Sequence, residues 1–88
     1  MPELSRFDGM VIQMYFADTK KHHKPHIHVI YGSDDVVVAL DKQVLAGKLP
    51  IKKLGSVLAW MMYNEDALYV AWNKAVREEH FDKIKPLD

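Results

Sequence analysis

The chain has no cysteine, so it can form no disulfide framework and offers no thiolate for catalysis or metal binding. That fits a reducing compartment. It has no apolar run approaching the roughly 20 residues needed to span a bilayer. Its first nine residues, MPELSRFDG, lack the basic start and apolar core of a signal peptide. It also lacks an excess of either charge: Lys plus Arg and Asp plus Glu are both 12, so the global field attracts neither nucleic acid nor membrane. With only four glycines and four prolines, there is no low-complexity linker, and no internal repeat is visible. These absences predict a soluble, cytoplasmic protein with no membrane partner.

The 88 residues suffice for one domain spanning 1–88. A hydrophobic share of 49% argues against disorder. A domain this short buries only about 60% of the surface its unfolded chain exposes, so partner binding or self-association would help to stabilise it.

Hydrophobic periodicity sets the expected elements. In Met10–Phe16, Met10, Ile12, Met14 and Phe16 alternate with Val11, Gln13 and Tyr15, the period of a strand. The Asp8-Gly9 pair before it is a hairpin turn, across which Leu4–Phe7 can pair back. Ala17–Pro25 reads as a polar loop that becomes basic. Pro25 biases Lys24 toward extended geometry and can open a strand, His26–Tyr31. Gly32-Ser33-Asp34 is a turn, Asp35–Leu40 a third strand, and Val44–Ala46 a short fourth beyond Asp41-Lys42-Gln43. Short connections imply an antiparallel meander.

Pro50 suits the first position of a helix. Ile51, Leu54, Val57, Leu58 and Met61 then form a helical stripe. Asn64 is placed to cap a second helix, with Glu65 and Asp66 at its positive end; Leu68, Trp72, Ala75, Val76 and Glu79 continue at helical spacing, and one long helix bent near Asn64 is the alternative. The expected fold is therefore α+β: a three- to four-stranded antiparallel meander over about residues 4–46, followed by two C-terminal helices over about 50–80 packed on one sheet face. Trp60, Trp72, Met61 and Met62 are expected in the core, Lys48, Lys52 and Lys53 on a solvated face, His80 near an exposed helix end, and residues 81–88 in an irregular tail.

The unusual chemistry lies between Lys20 and His28. The segment KKHHKPHIH holds three lysines, four histidines and no acid. Imidazoles titrate near about pH 6.5, so mild acid would strengthen this basic run. His26 and His28, two apart on a strand, point to the same face with Cα atoms roughly 6.5–7 Å apart. Two imidazoles at that spacing can converge on one ion, and a catalytic zinc site typically takes three protein ligands. His22 or His23 can supply the third from the loop, with Asp18 or Asp41 orienting a ring from behind.

The same residues support two other readings. His26 and His28 can act as acid and base in RNA phosphodiester cleavage, with Lys20, Lys21 or Lys24 holding phosphate. Alternatively the segment only binds, the lysines contacting phosphate and Tyr15 or Tyr31 stacking on a base. The second helix is expected to carry Glu65, Asp66, Glu78 and Glu79 against Lys74 and Arg77, which makes it a poor reader of the DNA major groove. Against all of these stands the plain alternative that the histidines pack on a half-exposed sheet face.

Several of these residues also carry a likeness. Ser5-Arg6-Phe7 with Gly9, then Ile12-Gln13-Met14-Tyr15, Pro25-His26-Ile27-His28-Val29, and Gly47-Lys48-Leu49-Pro50 resemble a family of small prokaryotic proteins known as domain of unknown function 4160. The likeness is strongest from Phe7 to Pro50, with Pro-His-x-His-Val its most characteristic piece. It implies that His22, His26 and His28 belong together; the candidate cofactor, a divalent transition metal such as zinc, comes from the histidine spacing alone. It also implies a small partner protein encoded nearby, in a regulatory or toxin–antitoxin type of module. The resemblance itself implies no activity.

Overall fold

The computed structural model describes residues 3–14 and 24–87. Five strands form one antiparallel sheet in the order β1-β2-β3-β4-β5: β1 (Glu3–Phe7), β2 (Met10–Gln13), β3 (His26–Tyr31), β4 (Asp34–Ala39) and β5 (Val44–Gly47). Two helices follow, α1 (Ile51–Tyr63) and α2 (Glu65–Val76). The fold is α+β as expected, with five strands in place of three or four.

The additional strand is β1, and the turn before β2 explains it. Asp8 and Gly9 have φ of 52° and 75°. Positive φ at both central residues is the two-residue hairpin turn whose twist matches the strands it joins. The last strand ends at Gly47, with φ of 75°, where a Cβ would strike the carbonyl oxygen of Asp35. Only glycine fits there.

Register sorts the side chains into two faces. Ile12 lies opposite Val29, and Val29 opposite Val36; Ile27 pairs with Val38. Together with Phe7, Met10 and Met14 these buried residues form the core face. The other face carries Val11, Gln13, His26, His28 and Ile30, as the two-residue period requires.

α1 covers the core face with Val57, Trp60 and Met61, and Trp60 stands 5.8 Å from the Phe7 ring. Lys53 anchors the first turns: its ammonium donates to the Asp8 carbonyl at 2.9 Å and sits 4.9 Å above the Tyr31 ring. This lysine is therefore a packing residue and not part of a solvated face. Met62, expected inside, is 60% exposed, because it falls one position beyond the buried stripe.

Leu68, Ala71, Trp72 and Ala75 of α2 join the same core. The contacts of α2 fall where β4 ends and β3 begins: Glu65 pairs with Lys42 at 2.6 Å, and Trp72 packs on His26 at 5.2 Å. A single residue, Asn64, separates the helices. Its amide makes no cap for α2; it donates instead to the Trp60 carbonyl at 2.8 Å, satisfying one of the carbonyls orphaned at the end of α1. Glu65 and Asp66 still place negative charge in the first turn of α2. Among the described residues no helix is long and apolar enough to cross a membrane.

The tail beyond α2 is irregular but docked. Ile84 N–H donates to the Leu4 carbonyl at 2.7 Å, and the Trp60 indole donates to the Lys85 carbonyl at 2.8 Å.

Candidate functional site

The start of β3 is built by its proline. Pro25 holds Lys24 out of helical geometry, and the Pro25 carbonyl accepts from Leu40 N–H at 2.8 Å, tying this corner to the end of β4. The Lys24 carbonyl then faces the first imidazole of the strand, 2.6 Å from His26 Nδ1. A carbonyl only accepts, so Nδ1 carries the proton.

His26 is completely buried. Its ring is flanked by His28, with centres 5.3 Å apart and planes at 63°, and by Trp72 of α2. His28 is half-buried. Both histidines lie on one face, as the strand period predicts, and their rings lean toward each other.

Lys24 also links this corner to the β4–β5 turn. Its ammonium donates to Asp41 Oδ2 at 2.7 Å and to Gln43 Oε1 at 2.5 Å, while Asp41 Oδ1 accepts from Gln43 N–H at 3.0 Å. Asp41 thus acts one step behind the imidazole: it holds the lysine whose backbone carbonyl orients His26. Its carboxyl sits below its ordinary value of 3.8, first because of the Lys24 hydrogen bond and then because of the Gln43 N–H. A depressed carboxylate pKa contributes stability above the unfolded value, and this is lost as pH falls through the folded value. The groups are exposed, so the contribution is small. Acid unfolding followed by circular dichroism should show the Asp41→Asn protein less stable than wild type at pH 7, with the gap closing below about pH 4. A gap unchanged at pH 2.5 would rule out this latch.

Two imidazoles on one tetrahedral zinc, with Zn–N bonds of about 2.0–2.1 Å, have ring centres about 5 Å apart. The His26–His28 ring separation of 5.3 Å is of that size, with the planes at 63°, and a carbonyl on one ring nitrogen is the usual way a ligating histidine is oriented. Among the described residues no group of three or more His, Cys, Asp or Glu is gathered to hold a metal. The expected third ligand, His22, lies outside the described residues, as do His23, Asp18, Tyr15, Lys20 and Lys21.

The described nucleic-acid candidates are engaged elsewhere. Lys24 is held by Asp41 and Gln43. Tyr31 lies on the core face beneath Lys53, so one face of its ring is covered. Trp72 and Gln43 are site residues that sequence reasoning missed. Helical spacing marked Trp72 as core, but its meeting with His26 depends on where α2 crosses the strand ends.

The model of a family described as a domain of unknown function, DUF4160, matches residues 9–73. The chain belongs to this family. The matched span runs from the β1–β2 turn almost to the end of α2, so the DUF4160 region includes the Lys24–Asp41 latch and the His26–Trp72 contact. β1 and the C-terminal tail fall outside it. No curated protein matches the chain, and no solved structure matches it.

Proposed function

We propose that this DUF4160 domain works by binding: a small cytoplasmic regulatory module, of toxin–antitoxin type, in which His26 and His28 with His22 hold a divalent transition metal such as zinc. The observation that carries this reading is the burial of His26 with its Nδ1 fixed on the Lys24 carbonyl. A buried imidazole fixed at Nδ1 beside a second imidazole suits a small ion. It suits an RNA phosphodiester poorly, because a polymer cannot reach a ring with no exposed surface. When bound, the metal would supply a fixed positive charge that ties the β3 corner to the segment before it. The two-protein module and a partner encoded nearby rest on family resemblance, with RNA and a second copy as further partner classes.

One observation favours a second reading, a non-catalytic protein- or RNA-binding module with structural histidines. Trp72 lies against His26 as an aromatic core neighbour would. Elemental analysis separates the two. Tag-free protein purified without nickel resin, which clustered histidines would strip of metal, is compared with the His26→Ala/His28→Ala variant. About one metal per chain in the wild type and none in the variant is expected. Metal-free wild type after growth with added zinc would sink the metal reading and leave the structural one. RNA cleavage by the wild type, lost in the variant, would restore the phosphodiester reading.

A further inference from the structure

We propose that the outer edge of β1 is a docking groove for an extended segment of a partner protein, and that the chain's own tail is its resident placeholder. The β1–β2 ladder is irregular near its start. Glu3 pairs with Gln13 and Ser5 with Ile12, so Leu4 has no partner across the ladder. Such a bulge leaves its extra residue out of the ladder. The Leu4 carbonyl is taken up by Ile84 N–H of the tail at 2.7 Å.

The two-residue turn makes Phe7 and Met10 the hydrogen-bonded pair, so the backbone N–H and carbonyl of the next residue back, Arg6, point away from β2. An edge of this kind is a template for another strand. The tail uses little of it. Among the described residues one backbone hydrogen bond joins tail and β1, beside an ion pair of 3.5 Å from Lys83 to Glu3 and the indole bond from Trp60 to the Lys85 carbonyl. Among the described residues no backbone group of the tail pairs with Arg6.

A second observation at the same place points to a ligand. The Ser5 hydroxyl is buried and, among the described residues, has no hydrogen-bond partner. Ser5 lines a recess of about 460 Å³ with Glu3, Arg6, Lys83, Ile84 and Lys85. The hydroxyl of Ser5 thus stays unsatisfied where β1 and the tail line one recess, and buried polar groups in folded proteins nearly always find partners.

The resident segment shows what the groove accepts. It is extended, with a branched apolar residue (Ile84) buried, a basic residue before it (Lys83) against Glu3, a carbonyl after it on the Trp60 indole, and Leu87 against the core. A partner strand with this basic–apolar pattern would keep those contacts and add ladder bonds to Arg6, the strand-addition mode of peptide recognition. The groove lies outside the matched DUF4160 span and does not involve the histidine corner.

The test uses the full chain and a labelled synthetic peptide with the sequence of residues 79–87. Fluorescence anisotropy should show weak binding to the wild type, whose tail competes, and at least tenfold tighter binding to the Ile84→Asp variant, whose tail cannot seat. The same peptide with Asp in place of its isoleucine should bind neither. A folded Ile84→Asp protein that fails to bind the peptide overturns the proposal. If that variant does not fold, hydrogen exchange on the wild type decides. Amides of residues 79–87 exchanging together well before those of β3 support a removable tail, and exchange of both only by global unfolding overturns it. Stable dimers formed by tail exchange at the peptide-binding concentrations would overturn the partner assignment in favour of a second copy.

Discussion

Replacing Trp60 with alanine is expected to cost about 3–5 kcal/mol, the range for emptying a buried large aromatic site. Trp60 is fully buried and is the residue on which three parts of the molecule meet. Its ring packs on Phe7 of β1, its carbonyl accepts from the Asn64 side chain that closes α1, and its indole N–H holds the tail through Lys85. A domain of this size has a total stability of roughly 4–13 kcal/mol at the usual value per residue, so Trp60→Ala should remove a large share of it and lower the urea midpoint accordingly. Trp60→Phe refills most of the volume and removes only the indole donor, so about 1–2 kcal/mol is expected. Urea denaturation of both variants measures the difference. A loss below about 1 kcal/mol for the alanine variant would mean that α1 does not organise the core as described.

The strand and helix pattern was legible because local chemistry and tertiary placement agree. Asp8-Gly9 specified a hairpin turn, and the alternation after it put Met10 and Ile12 on the buried face. The extent of β1 was harder to read, because its bulge at Leu4 breaks the two-residue period that marks a strand. Asn64 shows a different limit. Asparagine before two acids is an N-cap pattern, yet the last turn of α1 also needs donors, and the side chain can serve only one helix. Sequence shows the competition and cannot show which helix end wins.

The candidate site was legible in part for the same reason. The same-face placement of His26 and His28 follows from strand geometry alone, and the extended Lys24 follows from Pro25. What sequence could not supply was the third side of the site. Asp41 and Gln43 come from a turn 15 or more residues away, and Trp72 comes from the far end of the chain. Their approach depends on the meander bringing the end of β4 beside the start of β3, and on α2 crossing the strand ends. Basic composition suggested that Lys24 faces a phosphate, but an acid and an amide within reach of a lysine claim its ammonium first.

The metal and packing readings of His26 predict different responses to one pair of substitutions. His26→Ala empties a fully buried ring site and removes the donor from the Lys24 carbonyl, so a loss of about 2–4 kcal/mol is expected whether or not a metal binds. His26→Leu restores most of the volume against Trp72 while removing both ring nitrogens, so in metal-free buffer it should recover part of that loss. Zinc then separates the readings. A ligand at about 100 times its dissociation constant stabilises the folded state by about 2.7 kcal/mol, provided the unfolded chain does not bind it. The wild type should gain on that scale, read as a rise in the urea midpoint, and neither variant should gain. If zinc shifts all three proteins alike, the metal sits elsewhere in the histidine-rich segment. If it shifts none, His26 is a core residue, and its hydrogen bond to Lys24 serves to fix where β3 begins.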